Sequence, residues 1–471
     1  MMGRMPVPSS VIADSLRDAS PTVFWTDRPE RPQDRPTLVG TDHRADLVIV
    51  GGGFTGLWAA IQAKEDNPGR EVVVLEKEWI GFGASGRNGG FVAPSLTHGL
   101  AQGLSCWPDE LPVLERLAEE NMAGLEASLA AYGIEADFHV PGEITMALTE
   151  HQLASVREGH ELHRDHGVPV TLLDREEARA RVDSPRYLGG FLDPTVGLVD
   201  PGRLVWGLAA AAESLGVRIF ERTTVTGFER AGTGVTVTTD LGAIAADRAV
   251  VGTGAFRGVL ARLSLFTLPV YDHVLMTEPL TAAQLGELGW SGREGLTDAG
   301  NQFHYYRRTL DDQVLFGGYD ANYHFPGKID PKFEQSASHE LLAEHFLEIF
   351  PQLEGIRFTH RWAGVIDTTS RFTPVFGTAL GGRISYAVGY TGLGVASTRF
   401  GARVALDLVD GLQNEVTGLA MVRQKPMPFP PEPIRYAAVR ATRASLAAED
   451  RTGERNLWLK TLDRLGIGFD S

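Results

Sequence analysis

The sequence predicts a mixed α/β protein of two interleaved domains, one on a helix-flanked sheet and one on an antiparallel or mixed sheet. Three observations predict it. Residues 45–76 read strand, glycine turn, helix, strand, acid; residues 383–408 read strand, glycine turn, helix again; and the stretches 136–195 and 269–360 carry short strands that continue neither unit. The first domain is therefore Rossmann-like and binds a dinucleotide.

The opening unit carries the first argument. An apolar run, residues 47–50, meets Gly51-Gly52-Gly53-Phe54-Thr55-Gly56, a helical stretch follows over 57–64, and a second apolar run, 72–75, ends in Glu76. Gly51 permits the tight turn, Gly53 lets backbone approach a pyrophosphate, and Gly56 lets the helix pack closely on the strand. The helix start offers free N–H groups and a positive dipole end to phosphate. Glu76, 20 residues after Gly56, can accept hydrogen bonds from ribose hydroxyls.

Before this unit, residues 1–44 hold Pro29, Pro32 and Pro36 among charges and read as an extended arm that Trp25 pins to the body. After it, leucines at helical spacing over 109–132 predict a long helix stopped by Gly133. Strand over 138–147 and polar helices over 150–166 and 175–182 begin the inserted segment. Asp200-Pro201 is a helix start, with Asp200 as N-cap, and its helix over 204–215 feeds a strand over 217–221. Hairpin strands over 228–246 lead to the run 249–251 and to Gly252-Thr253-Gly254, where the first sheet resumes. A second excursion has strand-like runs at 271–276, 303–307 and 313–316 and a helix over 338–350. The late unit follows: a strand over 383–389, the turn Gly389-Tyr390-Thr391-Gly392-Leu393-Gly394, and a helix over 396–408. Pro428-Phe429-Pro430-Pro431-Glu432-Pro433 is a stiff linker to a helical tail.

Composition narrows the function. The 471 residues carry a net charge of −16, which argues against nucleic acid and anionic membranes as partners. Cys106 is the single cysteine, so an intramolecular disulfide and a multi-cysteine metal site are excluded, consistent with a cytoplasmic location. No apolar run of membrane-spanning length and no secretory h-region is found. From Tyr436 onward six Lys and Arg face five Asp and Glu, a balance that favours a tail docked on its own chain over a membrane-surface helix.

At Gly83-Ala84-Ser85-Gly86-Arg87-Asn88-Gly89-Gly90 the sequence resembles the FAD-dependent amine and amino-acid oxidoreductases related to D-amino-acid, glycine and sarcosine oxidases, with the γ-glutamylputrescine oxidase branch closest in look. The likeness covers roughly residues 20–420, because the segments 250–254, 316–319, 361–364 and 389–394 fall in that family's order. It implies FAD, bound non-covalently since no cysteine or histidine stands in the octet. It further implies that Glu76 and Lys77 hold the adenosine ribose and that Val225 pairs its backbone with adenine. Gly83 to Phe91 would run beside the isoalloxazine ring, with Gly252, Thr253, Gly254 and Gly364 in flavin motifs. Gly392, Leu393, Gly394 and Val395 would aim backbone N–H groups at the ring's pyrimidine edge, where a helix N-terminus stabilises the charge gained on reduction. The expected division is an arm (1–44), an FAD domain (45–135, 196–268, 361–425), a substrate domain (136–195, 269–360) and a tail (426–471).

The implied reaction is oxidation of a C–N bond of a small amine to an imine that hydrolyses to an aldehyde, with oxygen reoxidising the flavin to give hydrogen peroxide. Phe316 aligns loosely with the family's oxygen-activating lysine, so a dehydrogenase passing electrons to a carrier is the alternative; a non-catalytic flavin-binding module is a third. Hydride transfer needs a neutral amine, and so a base or a desolvating aromatic pocket. Tyr319 and His324 are the candidate catalytic groups. Alternation over 303–307 puts Phe303, Tyr305 and Arg307 on one face and His304 and Tyr306 on the other, and leaves open which face meets the flavin. Asp367 and Arg371 form either a buried ion pair or a substrate contact, and His98 and His273 are read as structural.

Overall fold

The computed structural model describes residues 7–256 and 259–467. Five parallel strands form the heart of the first sheet, in the order Ile384–Val388, Gly242–Val251, Gly40–Val50, Val72–Leu75 and Arg218–Phe220. Residues along the central strands alternate between two cores, as the two-residue period of a strand requires. Leu47, Ile49, Val72 and Val74 pack against the helices Phe54–Asp66, Pro201–Ser214 and Gly394–Asp410, whereas Val48, Val50, Val73 and Leu75 pack against the meander that includes Gly234–Thr239. The runs 228–246 and 249–251 end in one long strand, because Gly242–Val251 pairs antiparallel with the meander at its start and parallel with Gly40–Val50 along its length.

The second sheet has eight strands, in the order Phe358–Thr368, Leu268–Thr277, Val314–Gly318, His304–Arg308, Gly295–Asp298, Glu143–Ala147, Gly189–Asp193 and Thr171–Leu173. It is mixed, since Gly295–Asp298 runs parallel to Glu143–Ala147 while its other pairings are antiparallel. The helix Ser338–Ile349 buries Leu342, Phe346 and Leu347 with Phe316 and Tyr306 on the back of this sheet. That leaves the front face turned toward the glycine turns of the first sheet, with which it lines one cavity.

The arm is not extended throughout. Ser9–Leu16 is a helix whose Leu16, Val11 and Ile12 join the core behind the second sheet, an apolar face that the proline-rich composition further on concealed. Trp25 is 1% exposed, and its indole N–H donates to the Asn88 carbonyl at 2.9 Å, so the arm is pinned to the glycine-rich octet. The tail forms two helices, Ile434–Thr452 and Leu457–Arg464, docked on the same chain. Among the described residues no helix is long and apolar enough to cross a membrane, and no group of three or more metal-ligating side chains occurs.

Candidate active site

The two strand–turn–helix units lie side by side. Thr55 Oγ1 donates to Tyr390 Oη at 3.2 Å and Gln62 Nε2 to the Arg399 carbonyl at 3.0 Å, across more than 300 residues of sequence. Both helices start without a side-chain N-cap, and apart from the Phe54 N–H, which Ser85 Oγ takes, their first N–H groups are left for a ligand. Both starts open on one cavity of about 2160 Å³, which is larger than the roughly 300–1,000 Å³ of an ordinary small-molecule pocket and has room for a dinucleotide and a substrate.

Most residues picked out from sequence line this cavity: Gly51, Gly53, Phe54, Thr55, Glu76, Lys77, Gly83, Ala84, Ser85, Arg87, Asn88, Gly89, Gly90, Phe91, Val225, Gly252, Thr253, Gly254, Gly364, Gly392, Leu393, Gly394, Val395 and Tyr319. Gly56 and His324 do not. Gly56 lies against Gly51, where a Cβ would collide with the Gly51 carbonyl, so its part is the close packing of helix on strand. His324 stacks on Phe333 at 3.7 Å, beside Tyr271, away from the lining.

The end of the cavity beside the first glycine turn is built around Glu76. Its carboxylate accepts from the Gly52 N–H at 2.6 Å and the Glu78 N–H at 2.9 Å, and burial, the dominant influence, holds its pKa above the usual carboxylate value. Gly51 has φ +111°, and a Cβ there would stand 2.6 Å from the Gly252 carbonyl oxygen, so only glycine closes this turn against the neighbouring strand. Ser85 Oγ accepts from the Phe54 N–H at 2.9 Å and joins the octet to the helix start.

The octet is shaped by its own side chains. Asn88 Nδ2 donates to the carbonyls of Ala84 and Ser85, both at 3.0 Å, and Asn88 Oδ1 accepts from the Gly90 N–H at 2.8 Å. Arg87 donates to the Phe82 carbonyl at 2.7 Å and the Ala363 carbonyl at 2.9 Å, and pairs with Glu334. Behind the octet, Arg307 donates to the Val199 carbonyl at 2.6 Å and faces Asp137 at 3.8 Å; burial lowers its pKa to about 10. These donors and acceptors fix a glycine-rich backbone that could not otherwise hold one shape.

The second sheet closes the cavity opposite the octet. Phe303 and Tyr305 line it, whereas His304 and Tyr306 point to the back, so the face left open by alternation is resolved. His304 there bonds Asp298 at 2.6 Å and His345 at 2.9 Å and stacks between Phe316 and Tyr319. Asp272 lines the cavity and accepts from Tyr305 Oη at 2.5 Å; burial raises its pKa to about 6. Farther along, Glu143 accepts from Thr297 Oγ1 at 3.0 Å, and burial raises its pKa to about 7. Sequence reasoning passed over both acids, although each is a lone carboxylate in an otherwise strand-like run.

Phe316 is fully buried on the back of the sheet between His304 and Phe346, and so lies outside the cavity. Asp367 and Arg371 do not pair with each other. Asp367 accepts from the Gly389 N–H at the late turn, and burial holds its pKa at about 6. Arg371 donates to the carbonyls of Pro374 and Met421 at 2.9 Å and of Gln424 at 3.1 Å. His98 lines the cavity with its ring 3.3 Å from the Thr391 carbonyl, whereas His273 is buried against Phe333 and His339.

The tail completes the outer wall. Ala438, Thr442, Arg443, Leu446 and Trp458 line the cavity. Polar links hold the tail there: Arg443 pairs with Asp320 and donates to Asn322 Oδ1 at 2.7 Å, and Asp450 accepts from the N–H groups of Asn301 at 2.8 Å and Gln302 at 2.9 Å.

The chain matches the family described as FAD dependent oxidoreductase over residues 46–408. It is 31% identical to the gamma-glutamylputrescine oxidoreductase of Escherichia coli over 387 residues, 81% of this chain and 88% of that protein. It is 30% identical to the probable oxidoreductase OrdL of Haemophilus influenzae over 387 residues, 80% of this chain and 85% of that one. Its fold is shared with glycine oxidase from Geobacillus kaustophilus at a TM-score of 0.68, with 22% identity over 81% of this chain and 99% of that one. Two strand–turn–helix units opening on one dinucleotide-sized cavity, and the family match spanning both, have the same meaning: the chain belongs to the FAD dependent oxidoreductase family and is an FAD-dependent enzyme of the amine and amino-acid oxidase type.

Proposed function

We propose that this enzyme oxidises a C–N bond of a small amine to an imine, which water hydrolyses to an aldehyde and either ammonia or a shorter amine, and that oxygen reoxidises the flavin and is itself reduced to hydrogen peroxide. The observation that carries the reading is the charge of the substrate wall. Asp272 and Glu143 line it, and among the described residues no lysine or arginine pairs with either. The arginines lining the cavity are each engaged: Arg87 with Glu334, Arg443 with Asp320, Arg455 with Glu449 and Asp463, and Arg435 with the Pro430 carbonyl. Such a wall suits a cationic amine better than a free carboxylate, which needs an unengaged basic partner.

FAD supplies the acceptor for the hydride. The residues that would hold it are Gly51, Gly53 and Thr55 at the pyrophosphate, Glu76 and Lys77 at the ribose, Val225 at adenine, residues 83–91 along the ring, and Gly392 to Val395 at its pyrimidine edge. On this reading the FAD domain comprises 45–135, 196–268 and 361–425, the substrate domain 136–195 and 269–360, and the arm (1–44) and tail (426–471) brace them. The chain's own residues orient the amine, exclude water and hold the octet rigid.

A second reading, electron transfer to a carrier, has one observation in its favour: Lys77, next to Glu76, is the one lysine among the described lining residues, so none stands at the substrate wall. The test is a panel of methylamine, butylamine, 1,4-diaminobutane and N-methylglycine added to the aerobic holoenzyme. Peroxide and aldehyde released in equal amounts are expected. Aldehyde formed only with an artificial electron acceptor would overturn the oxidase reading in favour of the dehydrogenase, and no product from any amine would overturn both.

A further inference from the structure

Along the strand Leu268–Thr277, Leu268, Val270 and Asp272 turn toward the cavity, so Asp272 is a single carboxylate on an apolar stripe. Two neighbouring strands are shaped to reach it. Tyr305 pairs across the sheet with Gly317, where a Cβ would stand 2.7 Å from the Tyr305 ring, and a Cβ at Gly318 would stand 2.5 Å from the Phe303 carbonyl. The two glycines let the ring lie across their strand and bring its hydroxyl to Asp272 at 2.5 Å. On its other side the ring meets the octet: it lies edge-on to Phe91 at 6.0 Å, and a Cβ at Gly89 would stand 2.7 Å from it. The pair thus stands between the octet and the open cavity.

We propose that Asp272, oriented by Tyr305, accepts the proton of the substrate ammonium. The inference rests on the amine-oxidation reading. The ammonium N–H bond breaks, its electron pair stays on nitrogen, and an O–H bond forms at an Asp272 carboxylate oxygen. The neutral amine can then release a hydride from the adjacent carbon to FAD, with the nitrogen lone pair forming the C=N bond. Asp272 is the catalytic residue and Tyr305 a positioning residue.

The surroundings suit this role. The titratable groups facing Asp272 are Tyr305 and, through the sheet, His304. Opposite it, Phe358–Thr368 contributes Gly364, and the guanidinium of Arg87, from the octet, is held by the Ala363 carbonyl and Glu334. Burial leaves Asp272 ionised at neutral pH yet more basic than a solvated carboxylate.

The experiment uses the FAD-loaded enzyme and whichever of the four amines above reduces its flavin fastest without oxygen. In the wild type the reduction rate should fall about tenfold per pH unit below about 6. Asp272→Asn should keep its FAD, slow reduction at neutral pH by about 10²–10⁴-fold and lose that acid limb, while Asp272→Glu restores part of the rate. Tyr305→Phe removes a donor to the carboxylate, so the limb should move to higher pH. An infrared carboxyl band of the holoenzyme that titrates near pH 6 and is missing in Asp272→Asn is the readout independent of turnover. A variant Asp272→Asn that keeps the limb and a rate within about threefold of wild type overturns the assignment alone. If no amine reduces the wild type, the parent reading falls as well.

Discussion

Replacing Glu76 with Gln probes the proposed adenosine end of the cavity with the smallest change of shape. One carboxylate oxygen accepts from Gly52 and the other from Glu78, at 2.6 and 2.9 Å, and the side chain borders the cavity. In the amide one oxygen becomes an NH₂ group, so one backbone N–H loses its acceptor and a ribose hydroxyl loses a charged one. A hydrogen bond to a charged group contributes about 1.5–3 kcal/mol, which corresponds to a roughly 10–150-fold rise in the dissociation constant for FAD. Titration of the apoprotein with FAD, followed by quenching of flavin fluorescence, measures it. FMN lacks the adenosine, so its affinity should change by less than about twofold, within the noise of remote substitutions. Equal weakening of FAD and FMN, or no weakening of either, would refute the placement of the ribose at Glu76.

Other expectations are equally concrete. Gly56→Ala puts a Cβ into the Gly51 carbonyl, and overpacking of this kind should cost about 1–3 kcal/mol in a denaturant titration. The Asp272 carboxyl is held above its solvated value of 3.8, at about 6, so the stability its proton confers is complete below pH 3.8 and is lost as pH rises through 6. Asp272→Asn should therefore stabilise the holoenzyme above pH 6 by at most roughly 3 kcal/mol, discounted toward about 1 because the group borders the cavity, and leave its stability unchanged near pH 4. Arg443→Ala removes the tail's pairing with Asp320 and Asn322, and should speed proteolysis within 434–452 and raise KM more than it lowers kcat.

The sequence made legible whatever is local. Both strand–turn–helix units, the Asp200-Pro201 helix start and the glycine octet are runs of neighbouring residues whose spacing carries their geometry. Pairings between distant residues were not legible. Asp272 and Tyr305 are 33 residues apart, and only the pairing of both strands with Val314–Gly318 brings them together. Alternation could divide 303–307 into two faces, but choosing the inner one needed the octet's position. Tyr319 and His324, five residues apart, look alike in sequence; Tyr319, with φ +62°, borders the cavity while its ring stacks on His304 behind the sheet, and His324 goes to Phe333. The tail was legible as helix, yet its place on the cavity wall depends on bonds such as Asp450 to Asn301, 149 residues away.

The most direct measurement is the flavin spectrum of the purified enzyme, recorded without oxygen as each amine of the panel is added. Bound FAD that at least one amine bleaches to the reduced form, and that air then restores, is the predicted result. Bound FAD that dithionite reduces and no amine does would contradict amine oxidation.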